Sequence, residues 1–160
     1  MITLFTDTDT DITLKEAQHY GYKLISMPYT LDDKEIYPYE DFEEFDSKIF
    51  YDKLRSGSMP KTSAISPVKY IEYFEEEFKQ GNDILYVHFS KAMSGTFNAM
   101  AIAYEELLEK YPERKLYTID TKGITILSNI IVKEIGDMYL NGKTAFEIYP
   151  SENNGFSELA

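Results

Sequence analysis

Cysteine is absent from this sequence of 160 residues, and basic residues are few. Without cysteine there can be no disulfide framework, cysteine nucleophile or thiolate metal site. Lys and Arg number 16 against 28 Asp and Glu, and the net charge of −12 argues against binding to a nucleic-acid backbone. No apolar run approaches the roughly 18 residues of a membrane span, and residues 1–5 lack the basic region of a signal peptide. We therefore expect a cytoplasmic protein with no nucleic-acid partner and no membrane span.

The residues that are present favour one compact domain with a substantial core. Hydrophobic residues make up 43% of the chain, and 14 Tyr and 10 Phe are among them. A domain of this size buries roughly 68–70% of its unfolded surface, so it needs no disulfides. We expect the domain to cover residues 1–145. Residues 146–160 show no apolar periodicity, and we expect an irregular or frayed tail there.

Strand and helix signals alternate along the chain, which predicts an α/β fold with a mostly parallel sheet flanked by helices. Buried strands are predicted at residues 2–6, 23–27, 84–89 and 116–119, and a hairpin turn at 31–36. Helices are predicted to begin at the capping box of Thr13 and at Ser66-Pro67, where Ser is the N-cap. For the second of these helices, the spacing predicts a buried stripe of Val68, Ile71, Phe74 and Phe78, and a solvated face at Glu75, Glu76 and Glu77.

The segment from His88 to Thr96 joins a predicted buried strand to a long predicted helix. The first turn of a helix offers unpaired N–H groups and the positive end of the helix dipole. Gly95 permits close approach to the backbone, while Ser94 and Thr96 add hydroxyl donors. This pattern suits a carboxylate or phosphate, although Ser94 could equally be an ordinary N-cap and Gly95 an ordinary tight turn.

A second group of hydroxyls lies in the segment Pro60 to Pro67. Thr62 and Ser63 have no predicted capping role there, and Lys61 supplies a nearby cation. Two hydroxyl-rich loops could converge on one oxyanion, although such a loop is more often simply solvated.

Taken together, these segments resemble the DegV family of bacterial fatty-acid-binding proteins. The resemblance rests on four motifs in the family's order and spacing, namely Asp7-Thr8 with Asp11, Pro-Lys-Thr-Ser-x-x-Ser-Pro at residues 60–67, Ser-x-x-x-Ser-Gly-Thr at 90–96, and Asp120-Thr121. It implies an α/β domain that holds a long-chain fatty acid without catalysing a reaction, and that presents the lipid to a fatty acid kinase. It also implies that Thr62 and Ser94 bind the carboxylate, assisted by Ser63, Gly95 and Thr96.

The chain departs from the family pattern in two respects. Family members continue into a second domain that covers the ligand, and they tend to keep Ser-x-Gly-x-Gly where this chain has Thr125-Ile126-Leu127-Ser128-Asn129. An interaction fragment that has lost ligand binding is therefore one alternative.

The other alternative is a Mg²⁺-dependent phosphatase similar to the haloacid dehalogenases. Asp7 would be its nucleophile and Asp9 its acid/base, since Asp9 to Thr13 fits an Asp-x-Asp-x-Thr motif.

Overall fold

The computed structural model describes residues 2–42, 46–59, 61–62, 65–89, 96–121, 126–142 and 156–159. The helices in this part of the chain are α1 (Leu14–Tyr20), α2 (Ser47–Arg55), α3 (Pro67–Lys79), α4 (Thr96–Lys110) and α5 (Ile126–Leu140). The strands are β1 (Ile2–Asp7), β2 (Lys23–Ile25), β3 (Tyr29–Leu31), β4 (Lys34–Ile36), β5 (Lys61–Thr62), β6 (Asp83–His88), β7 (Leu116–Asp120) and β8 (Phe156–Leu159). None of the described helices is both long and apolar enough to cross a membrane.

A five-stranded sheet forms the centre of the molecule, in the order β2-β1-β6-β7-β8. The first four of these strands run parallel, and β8 pairs with β7 in the antiparallel sense. The central strands β1, β6 and β7 are almost continuously buried, as expected for parallel strands that are covered on both faces. The predicted α/β class and mostly parallel sheet are confirmed.

Each face of the central sheet carries its own hydrophobic core. Phe5 and Tyr86 point to the face covered by α3 and α4, whereas their neighbours Leu4 and Leu85 point to the face covered by α1 and α5. This alternation follows from the two-residue repeat of a strand. All four of these side chains are at most 1% exposed.

The local signals for helix ends are confirmed. Thr13 and Glu16 form the predicted capping box of α1, and Gly21 ends this helix in the left-handed conformation at φ 79°. Ser66 caps α3 and accepts a hydrogen bond from the backbone of Lys69, and Pro67 is the first residue of that helix.

The buried face of α3 is rotated from the one that the sequence predicted. Val68 lies in the first turn and is 65% exposed, whereas Tyr70, Phe74 and Phe78 are at most 2% exposed. Glu77 was expected on the solvated face, but its side chain is 3% exposed. Its carboxylate accepts hydrogen bonds from Thr3 Oγ1 at 2.6 Å, from Asn82 Nδ2 at 3.1 Å and from the Lys23 ammonium group. These donors offset the cost of removing a charge from water, which single-sequence periodicity cannot show.

A second, three-stranded antiparallel sheet has the order β4-β3-β5. The predicted hairpin is present between β3 and β4, and the turn residues Asp32 and Asp33 have φ values of 53° and 61°. Strand β5 pairs with the other edge of β3, with Thr62 opposite Tyr29.

The expected irregular tail requires a correction at four residues. Phe156–Leu159 form β8, opposite residues 116–119 of β7, whereas residues 143–155 and 160 lie outside the described part of the chain. An edge strand can be held by backbone hydrogen bonds alone, so it need not show the periodicity by which the sequence was interpreted.

Candidate functional site

The carboxyl ends of the parallel strands meet at one edge of the central sheet, which we call the carboxyl edge. It is formed by Asp7 at the end of β1, by His88 and Phe89 at the end of β6, and by Asp120 and Thr121 at the end of β7. The backbone N–H of Thr121 donates to the His88 carbonyl at 3.1 Å, which joins two of these ends directly. Ligands of open α/β sheets bind at this edge, and two of the four sequence motifs, Asp7-Thr8 and Asp120-Thr121, begin here.

The two hydroxyl-bearing segments predicted from the sequence are joined at the start of α4. The backbone N–H of Ile65, in the segment 60–67, donates to Thr96 Oγ1 at 3.1 Å. Thr96 is the first residue of α4 and is 1% exposed. The positive end of the helix dipole therefore lies where the two segments meet.

Of the five predicted site residues, the structure describes Thr62 and Thr96. Thr62 lies in β5, three residues before the Ile65–Thr96 contact, and its backbone pairs with Tyr29. Thr96 is buried at the start of α4, and its hydroxyl accepts the hydrogen bond from the Ile65 N–H. Ser63, Ser94 and Gly95 lie outside the described residues. The roles of these five residues toward a ligand remain predictions.

Hydroxyl groups of the other motifs also tie neighbouring segments together. Thr8 Oγ1 accepts a hydrogen bond from the Met27 backbone at 2.9 Å, which fixes the connection from β2 toward β3. Thr121 and Ser128 share a hydrogen bond of 2.8 Å between buried hydroxyls, which fixes the start of α5 against β7. The motif hydroxyls that the structure describes thus hold the loops of the carboxyl edge in place.

Two buried contacts of tyrosine hydroxyls that the sequence analysis missed lie at Asp7 and at Thr96. Tyr86 Oη donates to Asp7 Oδ2 at 3.0 Å. Tyr70 Oη lies 3.4 Å from Thr96 Oγ1. All four residues are at most 1% exposed. A signal was present in the sequence, because a tyrosine at a core position needs a partner for its hydroxyl and phenylalanine does not.

Asp7 has two further donors besides Tyr86. The Phe89 backbone N–H donates to Oδ2 at 3.2 Å, and the Asp9 backbone N–H donates to Oδ1 at 3.0 Å. Burial, followed by the negative charge of Asp9, raises the pKa of Asp7 to about 8, although its three hydrogen bonds act in the opposite direction. Burial and the charge of Asp11 raise the pKa of Asp9 to about 6. This acidic pair therefore titrates around neutral pH.

These contacts argue against the phosphatase interpretation. An aspartate nucleophile must reach the phosphorus of its substrate with a carboxylate oxygen. The side chain of Asp7 is 0% exposed, and both of its oxygens already accept hydrogen bonds. Within the described residues Asp7 is thus a buried structural centre of the loop after β1, with its carboxyl oxygens already engaged.

An apolar pocket of about 160 Å³ lies between the small sheet and α2. Its lining residues are Tyr29, Leu31, Ile36, Phe42, Asp46, Ile49, Phe50 and Lys53. Ligand pockets usually have volumes of about 300–1,000 Å³, so this pocket is too small to enclose a long acyl chain.

The carboxyl edge and its paired hydroxyl segments can be compared with known proteins. The family model that describes uncharacterised proteins of the DegV family matches residues 1–153. The chain belongs to the DegV family. This assignment confirms the resemblance that the four motifs indicated.

Individual DegV relatives show how much of a family member is present. A DegV domain-containing protein of Clostridium perfringens is 38% identical over 146 residues, which are 91% of this chain and 50% of that protein. The chain therefore spans about half the length of this relative.

Solved structures confirm the DegV fold. A fatty acid (stearic acid)-binding protein from Eubacterium ventriosum has a TM-score of 0.82 and 17% identity, over 95% of this chain and 52% of that one. The Fatty Acid Kinase (Fak) B3 protein of Streptococcus pneumoniae, loaded with linoleic acid, has a TM-score of 0.69 and 18% identity, over 95% and 53% of the two chains. At 17% and 18% identity, the similarity to these two structures establishes the fold alone.

Proposed function

We propose that this DegV chain binds the carboxylate of a long-chain fatty acid and acts as a carrier without catalysing a reaction. The observation that carries the proposal is the hydrogen bond between Ile65 and Thr96, because it brings the flanks of both hydroxyl segments together at the start of α4. A carboxylate needs several donors when it leaves water. Hydroxyls from two segments and the first turn of a helix are suitable donors.

In this proposal the head-group contacts come from both segments. Thr62 and Ser94 donate directly to the carboxylate, while Ser63, Gly95 and Thr96 complete the site. The names of the structural neighbours support a fatty acid as the ligand, since they include a stearic acid-binding protein and a protein loaded with linoleic acid.

The proposed partner is a fatty acid kinase that phosphorylates the bound carboxylate. The similarity to the pneumococcal Fak B3 protein supports this partner. A net charge of −12 disfavours binding of a nucleotide, which is itself a polyanion, so the nucleotide would be bound by the kinase.

The purified chain tests the proposal in two steps. Extraction followed by mass spectrometry should detect fatty acid that co-purifies with the protein. Titration of lipid-free protein with carboxyl-labelled ¹³C oleate should then shift the carboxyl resonance in a saturable manner. Absence of lipid from the purified chain together with absence of uptake would refute the carrier function.

The substitution Ser94→Ala tests the head-group assignment. A hydrogen bond to a charged group contributes about 1.5–3 kcal/mol, so we expect oleate affinity to fall roughly 10- to 150-fold. Ser56→Ala is the matched control, because the Ser56 hydroxyl donates only within its own helix end, to the Lys53 carbonyl at 2.7 Å. Equal affinity of the Ser94→Ala variant and the control would remove Ser94 from the site.

A further inference from the structure

The small sheet and α2 form a unit of their own, which we call the small-sheet unit. Its described residues are 29–42, 46–59 and 61–62, and none of these belongs to either hydrophobic core of the central sheet. Apolar side chains of this unit pack on each other instead. The rings of Tyr29 and Phe50 lie edge to face at 6.1 Å, and both line the pocket between the small sheet and α2.

Both ends of the small-sheet unit are anchored in the core on the α3 and α4 face of the central sheet. Met27 precedes β3 and Ile65 follows β5, and they are 5% and 3% exposed. Each also donates its backbone N–H to a threonine hydroxyl, Met27 to Thr8 Oγ1 at 2.9 Å and Ile65 to Thr96 Oγ1 at 3.1 Å. These two residues are therefore fixed points, about which the unit between them can move as a body.

A third attachment lies between the two ends, in the strap formed by residues 37–41, which connects β4 to α2. Glu40 carries this attachment. One of its carboxylate oxygens accepts from Tyr73 Oη at 2.5 Å, and the other accepts from Lys69 Nζ at 3.2 Å, both on α3. Lys69 Nζ also lies 4.9 Å from the centroid of the Tyr37 ring. The side chains of Lys69 and Glu40 are 26% and 38% exposed, so water can replace their contact at modest cost.

Ser26 joins the strap to the end of β2. Its hydroxyl donates to the Pro38 carbonyl at 2.7 Å, and its backbone N–H donates to Tyr73 Oη at 3.2 Å. Ser26 is 1% exposed, although β2 is the first strand of the central sheet. We therefore expect the Ser26 amide to exchange with water when the strap lifts from α3, and to be protected while the strap is held.

We propose that the small-sheet unit is a gate of the fatty-acid site, hinged at Met27 and Ile65 and latched by Glu40. While Glu40 is bound to α3, Thr62 is held three residues from the Ile65–Thr96 contact. When Glu40 leaves α3, the unit moves outward and carries Thr62 away from α4, and the fatty acid enters and leaves in this open form. This inference rests on the proposed function and adds the route of ligand exchange, which the hydroxyl motifs do not determine.

Amide hydrogen exchange measures the latch without any ligand. Glu40→Ala removes the contacts of the carboxylate with Tyr73 and Lys69. Because Glu40 is partly exposed, we take the low end of the range for a hydrogen bond to a charged group, and expect the Ser26 amide to exchange about tenfold faster. Lys69→Met removes one of the two contacts and should act in the same direction but more weakly. The amide of Leu85, on the central strand β6, should keep its wild-type rate in both variants.

Glu75→Ala is the matched control. Glu75 is also a carboxylate on α3 that is shared between a tyrosine and a lysine, since it accepts from Tyr111 Oη at 3.4 Å and pairs with Lys79 Nζ at 3.7 Å. These partners lie outside the strap. The Ser26 amide should therefore exchange at the wild-type rate in this variant.

Stopped-flow mixing with cis-parinaric acid, a fluorescent fatty acid, measures the gate itself. Since the latch acts on the free and the loaded protein alike, Glu40→Ala should raise the association and dissociation rate constants by the same factor, about tenfold, and leave the affinity unchanged. A residue that contacts the fatty acid would instead raise the dissociation rate alone and weaken the affinity.

The possible failures can be told apart. If Ser26 exchange is unchanged in Glu40→Ala, Glu40 is not a latch and the inference is refuted. If Ser26 exchange rises but only the dissociation rate of cis-parinaric acid follows, the gate is refuted. If the wild-type chain takes up no fatty acid, the proposed function is refuted and the gate with it, whereas the Ser26 measurement still decides whether Glu40 holds the strap. Lys69→Met provides the same tests if Glu40→Ala does not fold.

Discussion

Gly136 provides a direct test of how α1 and α5 pack, because a side chain at this position would collide with Tyr20. A Cβ built on Gly136 lies 2.6 Å from both Cγ and Cδ1 of Tyr20 and 3.0 Å from its Cβ. These atoms are at the base of the ring, so rotation of the side chain cannot remove all the contacts. The alanine substitution therefore requires α1 to move relative to α5.

Two terms of opposite sign determine the effect of Gly136→Ala. Overpacking of this kind costs about 1–3 kcal/mol, whereas alanine stabilises a helix interior by about 0.8–1.0 kcal/mol relative to glycine. At a contact of 2.6 Å we expect the steric term to be larger, with a net loss of up to about 2 kcal/mol in the free energy of unfolding. Urea denaturation followed by far-ultraviolet circular dichroism measures this change.

A double-mutant cycle identifies the cause. In a Tyr20→Ala background the two ring contacts at 2.6 Å are removed and only the 3.0 Å contact with the Cβ of residue 20 remains. Gly136→Ala should therefore be much less destabilising there, since the helix term is retained. If Gly136→Ala were equally destabilising in both, the collision with Tyr20 could not be the reason.

Two further predictions concern buried polar contacts. Glu77→Ala leaves three donors without their acceptor and should lower the free energy of unfolding by about 2–4 kcal/mol at pH 7, as measured by urea denaturation. The stability of Glu77→Gln should lie between those of wild type and Glu77→Ala. The hydrogen bonds of Glu77 hold its pKa below the ordinary value. Its contribution to the free energy of unfolding is therefore present at neutral pH and lost as the pH falls below about 4.5. If the difference in the free energy of unfolding between wild type and Glu77→Gln grew toward low pH, this reasoning would be wrong. Thr96→Val removes the acceptor of the Ile65 N–H and should cost about 1–3 kcal/mol, with faster amide exchange at Ile65 than in Thr96→Ser. Equal exchange in the two variants would show that the Thr96 hydroxyl does not hold the segment.

The parts of the fold that follow local rules could be predicted from the sequence. Thr13 with Glu16 and Ser66 with Pro67 mark helix starts because their effects act within one turn. The exposure of Val68 could not be predicted in this way, since it depends on how α3 packs against the rest of the fold. Strand β8 was missed because it is defined by pairing with a partner far away in the chain.

The candidate site shows the same division. The sequence located both hydroxyl segments, and the structure joins them through Ile65 and Thr96. It did not reveal the buried tyrosine contacts, because Asp7 and Tyr86 are 79 residues apart and Tyr70 resembles any aromatic core residue until its hydroxyl partner is known. Pattern analysis finds groups that can donate, whereas only the fold shows which of them are already bound to each other.

The two sides of the candidate site differ in how firmly they are anchored. Thr96 begins a helix of 15 residues that packs on the central sheet, whereas the described pairing of β5 with β3 consists of Tyr29 opposite Thr62 and Thr30 opposite Lys61. So short a ladder can separate through local fluctuations that leave the central sheet intact. The side of the candidate site that β5 forms is therefore the one expected to open first, at a far lower energetic cost than unfolding of the whole domain.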